Sequence, residues 1–397
     1  MSAAAPPRAF PVVMAGFAAF LDLYATQPLL PLLMREFNAT HFDVSLTVTA
    51  ATIAVAFAAP AVGRLADVIG RKRVIVGSAI GLVLATALAS TSHSLTQFVF
   101  WRFVQGLMTP GVFAITIAYI QDEWPSTHVG RASGAYVAGT VTGGFCGRAL
   151  VGLFSDSIGW KNAFLVLAGL NAVAAAALAA WLPEESVRAQ AHPTSHTHTL
   201  ARVLRNRQLL ATNLVGFCVL FVQVGVFTYV TFYLSDPPFH LGTTALSWLF
   251  LVFLVGASIV PFAGRLIDAR GYRTTLAIGI AVGATGALLT LLPWLPIVAV
   301  GLALVGTGGF ISHATASSYI GVVTPRDRGL AVGFYSTAYY IGGSLGGSLP
   351  ALLWSVGGWV ACVAMVVTMQ LLTVTVALRF WRRARTHDEA VLSDPIA

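Results

Sequence analysis

Long apolar stretches separated by short polar segments run along most of this chain. A helix that crosses the hydrocarbon core of a bilayer needs about 20 apolar residues, and a window of about 19 residues finds two sets of six such stretches. The first set predicts helices at 10–34, 43–62, 74–91, 95–120, 131–155 and 160–182, and the second at 208–234, 244–263, 274–292, 297–320, 329–354 and 359–380. The pattern predicts an all-α membrane protein with twelve transmembrane helices.

The longest polar stretch separates the two sets. It predicts an N-terminal six-helix half at 1–183, a linker at 184–207, a C-terminal six-helix half at 208–380 and a tail at 381–397. The linker carries His192, His196 and His198, but cysteine and acidic ligands at matching spacing are missing from it. We therefore expect a flexible segment there and no metal site.

The two halves repeat one another. The segment from Gly130, GRASGAYVAGTVTGGFCGRALVGLFSDSIGW, aligns without a gap with the segment from Gly329, at a shift of 329 − 130 = 199. The shared positions include small residues on one helix face, which allow close helix packing. In the first half they are Gly139, Gly143, Gly144 and Gly147. A second repeat relates GRLADVIGRK from Gly63 to GRLIDARGYR from Gly264, at a shift of 264 − 63 = 201. Two halves that repeat in parallel predict a central site between them.

Charge sets the expected orientation. Only 10% of the residues are charged and 57% are hydrophobic, yet the net charge is +8. If the N-terminus is cytoplasmic, 19 of the 23 Lys and Arg residues fall in cytoplasmic segments, as positive residues do in membrane proteins. This predicts a multi-pass protein of the inner (plasma) membrane with both termini cytoplasmic, and it explains the basic charge without a nucleic-acid partner.

The charged loop between the second and third predicted helices has the spacing G63-R-L-A-D67-x-x-G70-R71-K72. This loop resembles the signature of the major facilitator superfamily. R102-F-V-Q105-G106 in the fourth helix resembles the family's basic motif, and G139-T-V-T-G143-G144-F-C-G147 resembles the glycine-rich motif of its proton-coupled antiporters. P28-L-L-P31 ends the first helix as in the twelve-helix drug:proton antiporters. Within that group, TQPLLPLL, CGR148 and H313-A-T-A-S-S-Y-I-G are similar to segments of the YnfM-type inner-membrane transport proteins. The chain departs from the antiporter pattern in one place, with GG where GP is usual in the fifth helix.

The same loop is expected to act as a conformational latch. Gly63 and Gly70 would permit a tight turn, Asp67 would face the positive N-terminus of the helix beginning near Gly329, and Arg71 would pair with Asp67. The latch residues predicted in the two repeats are Gly63, Asp67, Gly70, Arg71, Lys72, Gly264, Arg265 and Asp268. The alternative is that these charges only follow the positive-inside rule and cap helix ends.

Three ionisable residues inside the spans are candidates for proton coupling. Asp22 is the one acid deep in a predicted span, where a carboxylate is costly and normally functional. Arg102 falls at a similar depth, so the two residues are expected to interact directly or through water. His313 is a second candidate. The alternatives are a static buried ion pair and a core histidine.

A substrate cavity is expected near a further cation, Arg148. Its long side chain could snorkel to the nearer interface, or it could give the cavity a positive charge suited to a carboxylate or phosphate. Polar and aromatic residues would complete the walls. The cavity residues predicted with Arg148 are Tyr24, Gln27, Gln105, Tyr229, Tyr233 and Tyr339.

These features predict a secondary active transporter. The leading expectation is proton-coupled export of a small organic molecule by antiport, in a monomer that needs no cofactor. The alternatives are a proton-coupled importer of an organic anion and, from another class, a receptor or scaffold without transport. No P-loop, metal cluster or nucleophile elbow is found in the sequence, so an enzyme is not expected.

Overall fold

The computed structural model describes residues 9–125, 127–185, 205–324 and 328–382. In these ranges the regular secondary structure is helical, with thirteen α-helices and two short 3₁₀ segments. The helices are α1 Phe10–Leu21, α2 Leu30–Glu36, α3 His41–Ile69, α4 Arg71–Ser90, α5 Leu95–Glu123, α6 Val129–Ile158, α7 Trp160–Trp181, α8 Arg207–Ser235, α9 Thr243–Trp248, α10 Val252–Leu289, α11 Leu295–Val323, α12 Arg328–Ser348 and α13 Pro350–Phe380. Most of the predicted linker, with its three histidines, lies outside the described residues, as do the first residues and most of the tail.

Nine helical segments of the described chain are long and apolar enough to cross a membrane. They are His41–Ile69, Arg71–Ser90, Leu95–Glu123, Val129–Ile158, Trp160–Trp181, Arg207–Ser235, Phe262–Leu289, Leu295–Val323 and Pro350–Phe380. The first, eighth and eleventh predicted spans are absent from this set as whole helices. Two of them are interrupted near prolines, and the eighth joins the ninth into one long helix through Gly271.

The predicted helix at 10–34 is broken at residues 22–26. α1 ends at Leu21, and the chain resumes as a 3₁₀ turn at Gln27–Leu29 before α2. Pro28 has no N–H to offer the carbonyl of Tyr24, and Pro31 none to offer that of Gln27, so an uninterrupted α-helix would lose two hydrogen bonds. The break therefore follows from the two prolines.

The charged loop is shorter than the sequence predicts, because Gly63 lies inside α3 and does not form part of a turn. Only Gly70, with φ 97°, turns the chain between α3 and α4. Gly271 has φ 75° and makes the corresponding bend in the second repeat, while Gly264 is helical. A positive φ is accessible to glycine without steric cost, so one glycine in each loop carries the turn.

The helices pack in two groups, α1–α7 and α8–α13. In the first group, glycines of α6 lie directly against backbone carbonyls of α1: a Cβ at Gly139 would collide with Val13 O and one at Gly143 with Phe17 O. Gly342 and Gly346 of α12 meet the carbonyls of Phe217 and Phe221 on α8 in the same way. The repeat seen in the sequence is thus a repeat of helix pairs in close contact.

We name the two ends of the molecule by their turns. The Gly70 end holds the turns at Gly70 and Gly271, and the Gly159 end holds those at Gly159 and Gly358. The hydrogen bonds that join the two groups lie toward the Gly159 end: Asp156 with Thr244, and Thr49 and Thr52 with Ser344.

Toward the Gly70 end, the described hydrogen bonds join residues of a single group. Lys72 Nζ lies 2.8 Å from Glu184 Oε1, and Tyr119 donates to the carbonyl of Pro183 at 2.7 Å. The hydrogen bond from Lys72 holds the pKa of the exposed Glu184 carboxyl below its usual range. The side-chain bonds between the groups are thus concentrated at one end of the molecule.

Candidate functional site

Asp22 lies at the break between α1 and α2 and is 1% exposed. Its Oδ2 accepts hydrogen bonds from Thr86 Oγ1 of α4 and Asn171 Nδ2 of α7, each at 2.7 Å. Its Oδ1 has no hydrogen-bond partner among the described residues. The carboxyl group therefore points into the interior of the first helix group, away from the second group.

Arg102, fully buried on α5, contacts the backbone of Asp22 and does not form the ion pair given as the alternative. Its Nη1 donates to the backbone carbonyl of Asp22 at 2.8 Å, its Nη2 to that of Leu23 at 2.6 Å, and its Nε to that of Thr47 at 3.0 Å. It also donates to Gln105 Oε1 at 2.5 Å. The guanidinium thus binds two carbonyl oxygens of the non-helical segment after α1, and that of Asp22 also accepts from the N–H of Ala25 at 3.1 Å.

A relay of polar groups connects Arg102 with the Asp22 carboxyl. Gln105 accepts from Arg102 and donates through Nε2 to Thr86 Oγ1 at 2.8 Å, and Thr86 contacts Asp22. Gln105 is 1% exposed, so it belongs to this internal network and not to a cavity wall. We refer to Asp22, Thr86, Arg102, Gln105 and Asn171 as the Asp22 cluster.

Arg148 lies on α6 where the two helix groups meet, and its side chain is 6% exposed. Its Nε donates to Gln27 Oε1 at 2.9 Å and its Nη1 to the carbonyl of Gly144 at 2.7 Å. The bond to Gly144, one turn back along α6, shows that the side chain does not snorkel toward the Gly159 end. In the described part of the chain no carboxylate lies within ion-pair distance of it.

Three aromatic rings surround the Arg148 guanidinium. Its carbon Cζ is 5.0 Å from the ring centre of Tyr24, which belongs to the first group, and 4.9 Å from those of Phe250 and Phe253, which belong to the second. Gln27 adds a second link between the groups, since its Nε2 donates to Thr228 Oγ1 of α8 at 3.2 Å. We refer to Arg148, Gln27, Tyr24, Phe250 and Phe253 as the Arg148 site.

The other predicted cavity residues are placed differently. The ring of Tyr339 is tilted against that of His313, with ring centres 4.5 Å apart, and His313 Nδ1 is 3.1 Å from the hydroxyl of Tyr335, so these three form a cluster within the second group. Tyr233 stacks on Trp359 at the Gly159 end. Of the predicted cavity residues, only Tyr24, Gln27 and Arg148 are brought together.

Tyr229 is not a cavity residue as the sequence predicts. It is fully buried, and its hydroxyl donates to the carbonyls of Gly347 and Ser348 at 3.0 and 3.3 Å. Pro350 removes an N–H from the helix at this point, where α12 gives way to α13. Tyr229 therefore stabilises a broken helix in the second group, as Arg102 does in the first.

The predicted latch contacts are not formed in this arrangement. Arg71 pairs with Asp122 of α5 and donates to the carbonyl of Ala118, so its partner is not Asp67. Asp67 and Asp268 are exposed, and no hydrogen bond or ion pair joins either of them to a described residue. Arg265 lies over the ring of Phe262.

Four residues of the two sites are not among the site residues predicted from the sequence. Thr86 and Asn171 bind the Asp22 carboxyl, and Phe250 and Phe253 face Arg148. Each lies in an apolar stretch as one polar or aromatic residue among many. A polar residue within a span was the available signal for Thr86 and Asn171; the two phenylalanines gave none.

Two packed helix groups thus enclose a buried cation where they meet, and an acid cluster lies inside one of them. The family model of the Major Facilitator Superfamily matches residues 12–237 and 237–394, and the chain belongs to this family. It is therefore a secondary transporter.

Relatives that match this chain along most of its length are found in bacteria. The chain is 30% identical over 390 residues to "Uncharacterized MFS-type transporter YybF" of Bacillus subtilis, covering 96% of this chain and 95% of that protein. It is 31% identical over 377 residues to "Inner membrane transport protein YnfM" of Escherichia coli, covering 93% and 89%. The resemblance to YnfM-type proteins expected from the sequence is confirmed.

Solved structures share the fold at low identity. A bacterial homologue of the human lysosomal transporter Spinster, in an inward-facing and occupied conformation, has a TM-score of 0.77 at 15% identity, covering 95% of this chain and 96% of its own. The nucleoside transporter NupG, solved as a point mutant, has a TM-score of 0.78 at 13% identity, covering 94% and 100%. These similarities establish the fold alone.

Proposed function

We propose that this protein transports an amphipathic organic anion across the inner membrane, coupled to protons, and that Arg148 binds the anionic group. The observation that carries the proposal is the state of Arg148: buried, hydrogen-bonded only to neutral oxygens, and without a carboxylate partner in the described chain. A buried charge without a counter-charge is strongly disfavoured. A carboxylate or phosphate from a substrate would supply that counter-charge.

The surroundings of Arg148 favour a substrate that also has an apolar part. Phe250 and Phe253 cover the guanidinium from the second group and Tyr24 from the first. Aromatic side chains give a site large apolar surfaces, while few polar groups fix the ligand's orientation. An aromatic or branched aliphatic acid combines these two features.

The Arg148 site is placed to couple binding with rearrangement of the halves. Its residues come from both groups, so a ligand there contacts both.

We count twelve spans: the nine apolar helices, the broken first helix at 10–36, the eighth ending at Gly271, and the eleventh continuing across Ser348–Pro350 to Gly357. By the positive-inside rule the Gly70 end is cytoplasmic. The contacts between groups at the Gly159 end then correspond to an inward-open state.

Asp22 is the proposed proton-binding residue, and Thr86 is equipped to serve both of its protonation states. The Thr86 hydroxyl is 2.7 Å from Asp22 Oδ2 and equally 2.7 Å from the carbonyl of Leu82, but it has one hydrogen to donate. With ionised Asp22 the hydroxyl donates to the carboxylate. With protonated Asp22 it donates to Leu82 and accepts from the carboxylic acid, so neither state leaves Thr86 unsatisfied.

The non-helical segment after α1 joins the two sites. Asp22 at its start contacts α4 and α7, while Tyr24 and the adjoining Gln27 contact Arg148. Arg102 holds the carbonyls of Asp22 and Leu23 between them. A change in the hydrogen bonds of Asp22 on protonation can therefore shift Tyr24 and Gln27 without any contact between proton and substrate.

Separate sites favour cotransport over exchange. The expectation of antiport assumes that proton and substrate compete for one site. Here the Asp22 carboxyl lies inside the first group, whereas Arg148 lies between the groups, so both can be occupied at once. We therefore place proton-coupled uptake of an organic anion, the alternative in the sequence analysis, ahead of antiport.

Reconstitution into proteoliposomes tests the substrate class and the coupling. We expect aromatic and branched carboxylates to accumulate when the outside is acidic. If the carboxylates accumulate instead when the outside is alkaline, the protein is an antiporter and not a cotransporter. The sharper test compares Arg148→Gln with Arg148→Lys, using a carboxylate substrate and its neutral amide analogue.

Arg148→Gln should weaken the apparent affinity for the carboxylate by about 10- to 100-fold, the value of one to two charge-assisted hydrogen bonds. Arg148→Lys should retain part of it, and binding of the amide should change little. Arg35→Gln, the same change at an exposed arginine, is the control. Equal losses for carboxylate and amide would show that Arg148 has a packing role and does not bind an anion.

A further inference from the structure

The two helix groups differ at the position of Asp22. The glycine contacts fix the correspondence: Gly143 meets Phe17 O and Gly342 meets Phe217 O, while Gly147 meets Leu21 O and Gly346 meets Phe221 O. The shift between α1 and α8 is therefore 217 − 17 = 200 and 221 − 21 = 200. At this shift the counterpart of Asp22 is Val222, since 22 + 200 = 222.

The partners of Asp22 have counterparts as well. Trp160 and Trp359 begin equivalent helical segments at a shift of 359 − 160 = 199, so Asn171 corresponds to Gln370, since 171 + 199 = 370. Tyr119 binds the chain after α7 and Tyr319 binds the chain after α13, at a shift of 319 − 119 = 200. At that shift the counterparts of Arg102 and Gln105 are Leu302 and Val305, since 102 + 200 = 302 and 105 + 200 = 305. The charged residues of the Asp22 cluster are replaced by apolar ones in the second group, and one amide remains.

A small cavity lies at this equivalent position. It has a volume of about 10 Å³ and is bounded by α8, α10, α11 and α13, with Val222, Val305, Gln370 and Ser312 among its lining residues. The side chain of Val222 ends at its Cγ atoms, so it lacks the two oxygens that Asp22 carries beyond Cγ. Gly279 and Gly308 line it where α10 and α11 lie close together, since a Cβ at Gly308 would collide with the carbonyl of Gly279.

Two polar side chains at this cavity are buried without a hydrogen-bond partner in the described chain. Gln370 is 3% exposed with a free Oε1, and Ser312 is 0% exposed with a free Oγ. Buried polar atoms without partners cost about 1–3 kcal/mol each. A water molecule usually supplies the missing bonds where about 10–15 Å³ and two or more polar partners are present.

We propose that this cavity is a binding site for one structural water molecule, which takes the place that the Asp22 carboxyl group occupies in the first group. The water would donate to Gln370 Oε1 and exchange a hydrogen bond with Ser312 Oγ. None of the lining residues is charged, so a neutral ligand fits the site and a cation would lack a counter-charge. The second group would then hold a water molecule at the position where the first group holds the Asp22 carboxyl group.

Radiolytic hydroxyl-radical footprinting of the purified protein tests the site directly. X-ray exposure generates hydroxyl radicals from bound water, and the modified side chains are read by mass spectrometry. Cys218 lines the cavity and is 0% exposed, whereas Cys362 is 2% exposed and lies outside it. We expect oxidation of Cys218 well above that of Cys362. Equal, background-level oxidation of the two cysteines would overturn the proposal.

Filling the cavity gives a second test. Val222→Leu should displace the water, reduce Cys218 oxidation to the level of Cys362, and lower the Tm because Gln370 and Ser312 lose their partner. In the Gln370→Leu background the same change should cost less, since one of the two polar groups no longer needs the water. A rise in Tm for Val222→Leu alone would indicate a dry cavity, and an equal loss in both backgrounds would indicate overpacking; either result contradicts the proposal.

Discussion

Arg102 binds the backbone of Asp22 and not its carboxylate. Nη1 lies 2.8 Å from the Asp22 carbonyl oxygen, while the Asp22 side chain is turned toward Thr86 and Asn171. The positive charge therefore stabilises the broken first helix, and the carboxyl group is bound by neutral donors alone. The two functions that a buried ion pair would combine are separated here.

This separation predicts different outcomes for the two residues. Asp22→Asn should fold with a Tm close to that of the parent, because the amide can still bond to Thr86 and Asn171, yet it should lose proton-driven accumulation. Arg102→Met should lower the free energy of unfolding by about 3 kcal/mol or more, since it leaves the carbonyls of Asp22, Leu23 and Thr47 without this donor.

The measurement is proton-driven flux beside thermal stability for both purified variants. Asp236→Asn, the same substitution at an exposed acid, serves as control and should change neither quantity. A folded Asp22→Asn protein that retains full pH-dependent accumulation would exclude Asp22 as the proton-binding residue.

The contact between Asp156 and Thr244 should stabilise closure of the Gly159 end. Asp156 Oδ2 accepts from the Thr244 N–H at 3.0 Å and from its hydroxyl at 2.7 Å, so a carboxylate of the first group caps a helix of the second. Asp156→Ala should shift the population toward opening at this end by about 1 kcal/mol, or roughly fivefold, as the loss of a helix cap does.

Single-cysteine accessibility near the Gly159 end measures that shift, in a background without the native cysteines. Asp43→Ala is the matched control, because Asp43 forms a capping box with Thr40 inside α3 and contacts only its own helix. That variant should lower stability without altering accessibility. If Asp156→Ala labels no faster than Asp43→Ala, the contact does not hold this end closed.

Asp67 should act in the opposite conformation. It is exposed and bonds to no described residue here, so replacing it costs nothing in this arrangement. If it contacts the N-terminus of α12 when the Gly70 end closes, Asp67→Arg should destabilise only the closed state. We expect faster labelling of single cysteines at the Gly70 end and slower labelling at the Gly159 end.

The control for Asp67→Arg is Asp122→Asn, which removes the partner of Arg71 within the first group. That change should affect stability more than the distribution between conformations. Identical labelling of Asp67→Arg and the parent at both ends would remove the latch hypothesis.

The glycines of α6 should differ sharply in their tolerance of alanine. A Cβ at Gly147 would collide with the carbonyl of Leu21, and one at Gly143 with that of Phe17, so each substitution should cost about 1–3 kcal/mol through separation of α1 and α6. Gly134→Ala on the same helix meets no atom within 4 Å and should be neutral or slightly stabilising.

Alanine at position 144 should affect function without affecting helix packing. A Cβ there would lie 3.5 Å from Arg148 Nη1, an ordinary contact, so Gly144→Ala should fold normally but alter anion affinity. Thermal unfolding and transport kinetics of the four variants check both statements. A stability loss at Gly134 as large as those at Gly143 and Gly147 would show that contact with α1 does not set the effect.

The position of charges illustrates what a linear pattern can and cannot predict. Asp22 and Arg102 stand out as ionisable residues in apolar surroundings, and the depth of each along its helix follows from the rise per residue. Which atoms they present to each other depends on the break at residues 22–26. Pro28 and Pro31 could have signalled that break, because proline removes backbone donors, but the apolar pattern continues across it.

The sequence by itself determined the family, the helical membrane architecture, most of the spans and the repeat, because these depend on hydrophobicity and local motifs read along one dimension. Only the tertiary structure decided that Arg71 pairs with Asp122, that Tyr229 supports a broken helix, and that Phe250 and Phe253 cover Arg148. Those contacts join residues 51 to 119 positions apart, and they depend on helix rotation and on how the two groups meet. Hydrophobicity sets which segments enter the membrane but leaves the rotation of each helix to packing.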